Sequence, residues 1–134
     1  MAMHTQHMAC ALLFASHTSF TAADVPSEHR HEVEHLLNFV ATTSCIINRN
    51  GTLHNGPDAL SHIKKKYAYF RDDISTTEEF IERSASKSTF SGKAYSVQCG
   101  ANKTTTTQYW LMTELKSYRN NQRSTSVDSE SGLK

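Results

Sequence analysis

Apolar positions along the chain fall into a few short runs, and the spacing within each run predicts an element. Val33, Leu36, Leu37 and Val40 lie at i, i+3, i+4 and i+7, one stripe of an α-helix over 27–43. Ser27 is its expected N-cap, and Glu28 suits the positive end of the helix dipole. "CIINRNGTLH", 45–54, reads as two short strands joined at Asn50-Gly51, a dipeptide that tolerates positive φ at both turn positions. Asn55-Gly56-Pro57-Asp58 breaks the chain again. Pro57 at the first helical position opens a second helix that runs to about Arg71, with Leu60, Ile63, Tyr67 and Phe70 on its inner face.

After a connector at 72–75, Thr76 or Thr77 caps a third helix, "TEEFIERSAS", with Phe80 and Ile81 inward and Glu78 and Glu79 in the first turn. "KSTFSG" is a polar loop. "KAYSVQC" alternates Ala94, Ser96 and Gln98 against Tyr95, Val97 and Cys99, the signature of a half-buried strand. "GANKTTTT" is a second loop, and "QYWLMTELKSYR" a last helix with Trp110, Leu111, Leu115 and Tyr118 as its buried set. From Asn120 onward the chain has too few apolar side chains to order itself, so 120–134 reads as a disordered tail. The fold class is a small, mainly helical α+β domain over 24–119, with about four helices, a hairpin and one further strand.

Composition narrows the setting more than the chemistry. The chain has 134 residues, one domain's worth, and 14 basic against 13 acidic side chains give a net charge of +1, too little field to favour nucleic acid. Met8 to Ala15, "MACALLFA", is an apolar run too short to be a stable membrane span. Small residues follow at Thr21-Ala22-Ala23, so 1–23 reads as a cleaved export signal, although its start carries His4 and His7 in place of Lys or Arg. Removal of Cys10 with that leader leaves Cys45 and Cys99. An even pair in a small periplasmic or secreted domain suggests a disulfide; two separate buried thiols are the alternative.

Three patterns invite a chemical reading. His31-Glu32-Val33-Glu34-His35 matches H-E-x-x-H, in which two histidines one helical turn apart bind zinc and the glutamate serves as base, the signature of a small zinc-dependent hydrolase. The apolar stripe of this helix centres almost opposite His31 and His35, which places both imidazoles on the wet face with Glu28 and Asn38. No x-x-G-x-x-H follows to supply a third ligand, so a solvated face is the simpler account and His31 with His35 at most a surface metal site. Ser84-Ala85-Ser86-Lys87 matches S-x-x-K, but at a helix C-terminus and without the partner elements of serine-acylating enzymes. His62 and Lys66 lie one turn apart on what reads as the outer side of the second helix, with Lys65 and Tyr69, where an anion could be held.

Taken in order, these pieces resemble a known family. Cys45-Ile46-Ile47-Asn48-Arg49-Asn50-Gly51, Ala59-x-x-His62-Ile63-x-x-Lys66-Tyr67 and Ile74-x-Thr76-x-Glu78-x-Phe80-Ile81 are followed by Ser86-x-Ser88-x-x-Ser91-Gly92-x-x-Tyr95-x-Val97-x-Cys99 and Trp110-Leu111. The pattern resembles the YfeK-like family of small exported bacterial proteins, a domain of unknown function, over roughly residues 32–119. The resemblance implies an export signal and a cysteine pair matching Cys45 and Cys99. It also implies that His62, Lys66 and the Ser86, Ser88, Ser91 and Gly92 loop belong to a shared pattern. It includes a first-helix histidine like His35 but not one like His31, and it brings no activity. The expectation is therefore a non-enzymatic module in which Arg49, His62, Lys66, Ser86 and Ser88 hold a small polar or anionic ligand or an envelope protein, with no cofactor required.

Overall fold

A computed structural model of the chain describes residues 25–131, with side chains through Val127. The leader expected over 1–23 lies outside these residues. The elements follow in the order α1 (Ser27–Thr42), β1 (Ile46–Arg49), β2 (Thr52–His54), α2 (Gly56–Phe70), α3 (Thr77–Phe80), β3 (Ser96–Gln98), β4 (Thr105–Thr106) and α4 (Thr107–Ser131). A 3₁₀ turn, Arg71–Asp73, ends α2, and a π turn, Ile81–Ala85, continues α3.

Local chemistry accounts for most of the boundaries. Asn50 and Gly51 hold positive φ, 53° and 86°, and Asn48 Oδ1 accepts from the Gly51 N–H, which closes the hairpin as expected. Asn55 caps α2 by accepting from the Asp58 N–H. Thr76 and Glu79 form a reciprocal capping box on α3. At the start of α1 the expectation is corrected: Pro26 occupies the cap position and makes no side-chain cap bond, so Ser27 is the first helical residue rather than the cap.

The sheet has the order β2-β1-β3-β4, all antiparallel. Its β4 edge is two threonines of the Thr104–Thr107 run, paired as Ser96↔Thr106 and Val97↔Thr105, where the polar composition had suggested only a loop. One face is covered by helices and the other is open. Ile47 and Val97, directly opposite each other, are buried, whereas Ile46 and Leu53 on the other face are exposed. Val33, Leu36 and Val40 of α1, Ile63 of α2, Phe80 and Ile81 of the α3 region and Leu111 and Leu115 of α4 complete one core. Among the described residues, no helix is long and apolar enough to cross a membrane.

α4 does not end near Arg119 but continues to Ser131. Side chains from Asn120 to Val127 are all exposed, so the extension adds length and no core. A helix already nucleated by the packed Leu111 and Leu115 turns propagates at little cost per residue, and that is a physical reason for it to outrun its apolar stripe.

Candidate functional site

The β1–β3 register builds the site. Ile46 pairs with Gln98, Ile47 with Val97 and Asn48 with Ser96. Continued by one residue at each end, this register sets Cys45 opposite Cys99 and Arg49 opposite Tyr95. The first pair is the disulfide Cys45–Cys99, with its Cα atoms 4.3 Å apart. The second places a guanidinium and a tyrosine on the helix-covered face, because alternate residues share a face with Ile47 and Val97. Helix α2 lies against β1 and presents Ala59, Ile63 and Lys66 to the interior. Lys66, which the apolar pattern put on the outer side, is only 9% exposed. The helix approaches its neighbours through the small Gly56 and Ala59, and this rotates the buried stripe onto the Lys66 side, leaving Leu60 and Tyr67 half-buried.

Three basic side chains converge on Tyr95. Arg49 Cζ lies 5.9 Å and Lys66 Nζ 5.5 Å from the ring centroid, both within cation–π range. His62 Nε2 is 3.3 Å from the Tyr95 hydroxyl. Lys66 donates to the Lys87 carbonyl at 2.6 Å, while Arg49 Nε is buried with no hydrogen-bond partner among the described residues. No carboxylate is among the groups that shift His62 or Lys66. Burial first, then Arg49, Lys66, His54 and Lys65, push the His62 pKa down from 6.5 to about 4. Burial, then Arg49 and Lys87, pull Lys66 below the ordinary lysine value, and burial raises Tyr95, so its phenol stays protonated. The inner space lined by Arg49, His62 and Tyr95 is about 10 Å³, room for one water-sized group. Anything larger must meet the cluster from the outer side, where His62 and Lys66 face a groove.

Ser86 and Ser88 are wired into the loop itself. Residues 86–95 form a small hairpin in which the Tyr95 N–H donates to the Ser86 carbonyl and the Ser88 N–H to the Lys93 carbonyl. The Ser86 hydroxyl is buried and donates to the Ile81 carbonyl at 2.7 Å, closing the π turn. The Ser88 hydroxyl accepts from the Ser91 N–H, and its residue lines a recess of about 280 Å³ with Lys66, Glu82, Arg83 and Lys87. Of the five sequence-derived site residues, Arg49, His62 and Lys66 are therefore brought together, Ser88 stands beside Lys66, and Ser86 faces the interior of the π turn. Tyr95, the hub, enters the sequence pattern as a strand residue and not among the candidate ligand-binding side chains. Its parity with Val97 and Cys99, matched to that of Arg49 with Cys45 and Ile47, was the signal that could have found it.

Glu32 of the H-E-x-x-H match is not on the wet face. It is 7% exposed, and Arg119 of α4 grips it through Nε at 2.6 Å and Nη2 at 2.8 Å while the Thr77 hydroxyl also donates to it. The Arg119 hydrogen bonds hold the Glu32 pKa at about 2. His35 Nε2 lies 2.6 Å from Glu114, and its ring stacks on Tyr118 at 4.0 Å, whereas His31 is exposed. Among the described residues, no three His, Cys, Asp or Glu side chains are grouped so as to hold a metal ion. A carboxylate neutralised by an arginine cannot take a proton from water near neutral pH, so nothing in this arrangement supports a hydrolase. In the S-x-x-K match, Ser84 is fully buried in the π turn while Lys87 is exposed.

Comparison with known proteins agrees with this order of residues. Residues 27–119 match the model of a family of unknown function, DUF5329. The uncharacterized protein YfeK of Salmonella typhimurium is 33% identical over 87 residues, which cover 64% of this chain and 72% of YfeK. No solved structure matches the chain. The family match over residues 27–119 takes in the disulfide, the hairpin, the second helix and the Tyr95 strand, and the chain belongs to this YfeK-like family of unknown function.

Proposed function

We propose that the protein is an exported, non-enzymatic module that binds a small anionic ligand at His62 and Lys66, with Arg49 contributing its charge from beside Tyr95. One observation carries the reading: three basic groups crowd one buried tyrosine, and every charged neighbour that bears on His62 is itself basic. Burying like charges together opposes folding, and a bound anion relieves that cost. The cross-strand disulfide and the apolar run at 8–15 support a destination outside the cytosol.

The test is titration of the disulfide-bonded protein with inorganic phosphate and with acetate, followed by amide chemical shifts. Saturable shifts are expected at residues 49, 62, 66 and 95, and their loss is expected in Lys66→Met. That variant keeps the buried stem and removes one charge from beside Arg49, which offsets the lost bond to the Lys87 carbonyl, so its unfolding midpoint should stay close to the parent's. A loss of stability above about 1 kcal/mol would make Lys66 a structural residue, because that is the size of an ordinary buried hydrogen bond. Absence of saturable shifts with either anion would reject the reading.

A further inference from the structure

The groove on the outer side of the cluster differs in character from the cluster itself. Its volume is about 410 Å³, and it is lined by His62, Lys65, Lys66, Tyr69, Phe70, Thr89 and Phe90. Along α2 the basic groups His62, Lys65 and Lys66 precede the aromatic pair Tyr69 and Phe70, and Thr89 and Phe90 of the loop complete the lining. Tyr69 is 80% exposed and Phe90 fully exposed, the two most exposed large hydrophobics among the described residues. They come from different elements. Tyr69 and Phe70 stand edge to face at 4.8 Å at the end of α2, and Phe90 sits in the turn of the 86–95 hairpin. That hairpin is held to α2 by the bond from Lys66 to the Lys87 carbonyl, so Lys66 fixes both the charged end and the loop that carries Phe90.

We infer that the ligand is a single-chain amphiphile with an anionic head, a fatty carboxylate, its head at His62 and Lys66 and its alkyl chain along Tyr69, Phe70 and Phe90. A simple inorganic anion would use the basic end and leave the aromatic wall without a role. An apolar ligand without charge would leave Lys65 and Lys66 uncompensated at its border. Only a molecule with both features matches both halves, and the groove is within the size range of small-molecule sites. The open shape of the groove also favours one chain lying along it over an enclosed cofactor.

This inference rests on the anion-binding reading, and a homologous series separates the two. Acetate, butyrate, hexanoate and octanoate are titrated into the disulfide-bonded protein by calorimetry, each at concentrations where it is monomeric. Burial of each added methylene strengthens transfer from water by about fourfold in full and about twofold when half-covered. Affinity should therefore rise by about two- to fourfold per methylene across the series. Phe90→Ser should flatten that rise and leave acetate binding as it was; the side chain is fully exposed, so the fold does not depend on it. Equal affinity for acetate and octanoate would overturn the inference and leave the anion site standing. Failure of every member, together with phosphate, would overturn both. Binding to vesicles of anionic phospholipid without binding of octanoate would replace a monomeric ligand by a membrane surface, and so would also overturn it.

Discussion

At the scale of single residues, His62 reports on the site. It faces Arg49 from β1, His54 from β2, Lys65 and Lys66 from its own helix, and the Tyr95 hydroxyl. With a folded pKa of about 4 against an ordinary 6.5, the unfolded chain binds more protons in that interval. Stability from this group is therefore complete above about pH 6.5 and is lost as pH falls toward 4. A bound anion offsets Arg49 and Lys66 and so raises the His62 pKa. Affinity for phosphate should then rise as pH falls through the same window, with uptake of a proton. Ring-proton shifts of His62 against pH, without and with saturating phosphate, check both statements; titration of the free protein near 6.5 would contradict the first. Glu32 has the opposite role. Its carboxylate is lowered from 4.5 to about 2 by Arg119, so its contribution is present above pH 4.5 and lost as pH falls toward 2. Arg119→Met leaves that charge buried with only the Thr77 hydroxyl and His29 beside it and should cost about 3 kcal/mol in urea unfolding. Adding Glu32→Gln should restore part of the loss, because the orphaned charge goes with it. Glu32 was legible in part: it is one turn ahead of Leu36 and two ahead of Val40, on the buried stripe. Lys66 was not, because the stripe of Leu60, Ile63 and Tyr67 sets it on the outer side. The partners that make such burial tolerable, Arg119 on a distant helix and a loop carbonyl at Lys87, are set by tertiary structure and leave no local trace.

The same division holds among the elements. The α1 stripe, the Asn50-Gly51 turn and the Thr76 cap are each encoded by a few adjacent residues and form where their signals stand, whereas α2 begins at Gly56, one residue ahead of Pro57, and the alternation over 93–99 yields a strand only at Ser96–Gln98. Strand β4 is encoded by nothing nearby. Two threonines become a strand only because β3 is there to pair with, and Thr107 then ties the start of α4 to the Ala85 and Tyr95 carbonyls. The rotation of α2 is likewise decided by contact. A Cβ on Gly56 would lie 2.4 Å from the Val40 carbonyl oxygen and 3.2 Å from Thr43, so the crossing of α1 and α2 exists only without a side chain there. Alanine at an ordinary exposed helix position is favoured over glycine by about 1 kcal/mol. Here Gly56→Ala should instead destabilise by about 1–3 kcal/mol, the cost of overpacking, because the obstacle is backbone that cannot turn aside. Urea denaturation of the single variant checks the sign. Since the crossing also sets which face of α2 carries Lys66 inward, Gly56→Ala should weaken phosphate binding as well, although residue 56 is not among those lining the groove.

For the whole molecule, the disulfide joins fold and location. Cys45 and Cys99 are 54 residues apart, and closing a loop of that length stabilises the folded chain by about 4 kcal/mol on the chain-entropy account. That is a large share of the 5–15 kcal/mol that holds a typical domain together. The bond spans β1 and β3, the two central strands, and its register is the one that carries Arg49 to Tyr95 at the other end. Losing it should therefore loosen the site as well as the fold. Cys45→Ser with Cys99→Ser should lower the urea midpoint strongly and weaken phosphate binding more than it disturbs the helical signal, since α1, α2 and α4 keep their own apolar contacts. The export proposed from the 8–15 run would keep this pair oxidised. Mass spectrometry of the protein recovered from the cell envelope, alkylated before reduction, should give a chain beginning near Asp24 and two thiols masked. Recovery of the unprocessed chain from the cytosol, with Cys45 and Cys99 both alkylated, would remove the oxidising setting proposed for the protein and, with it, the disulfide's support of the sheet and the anion site.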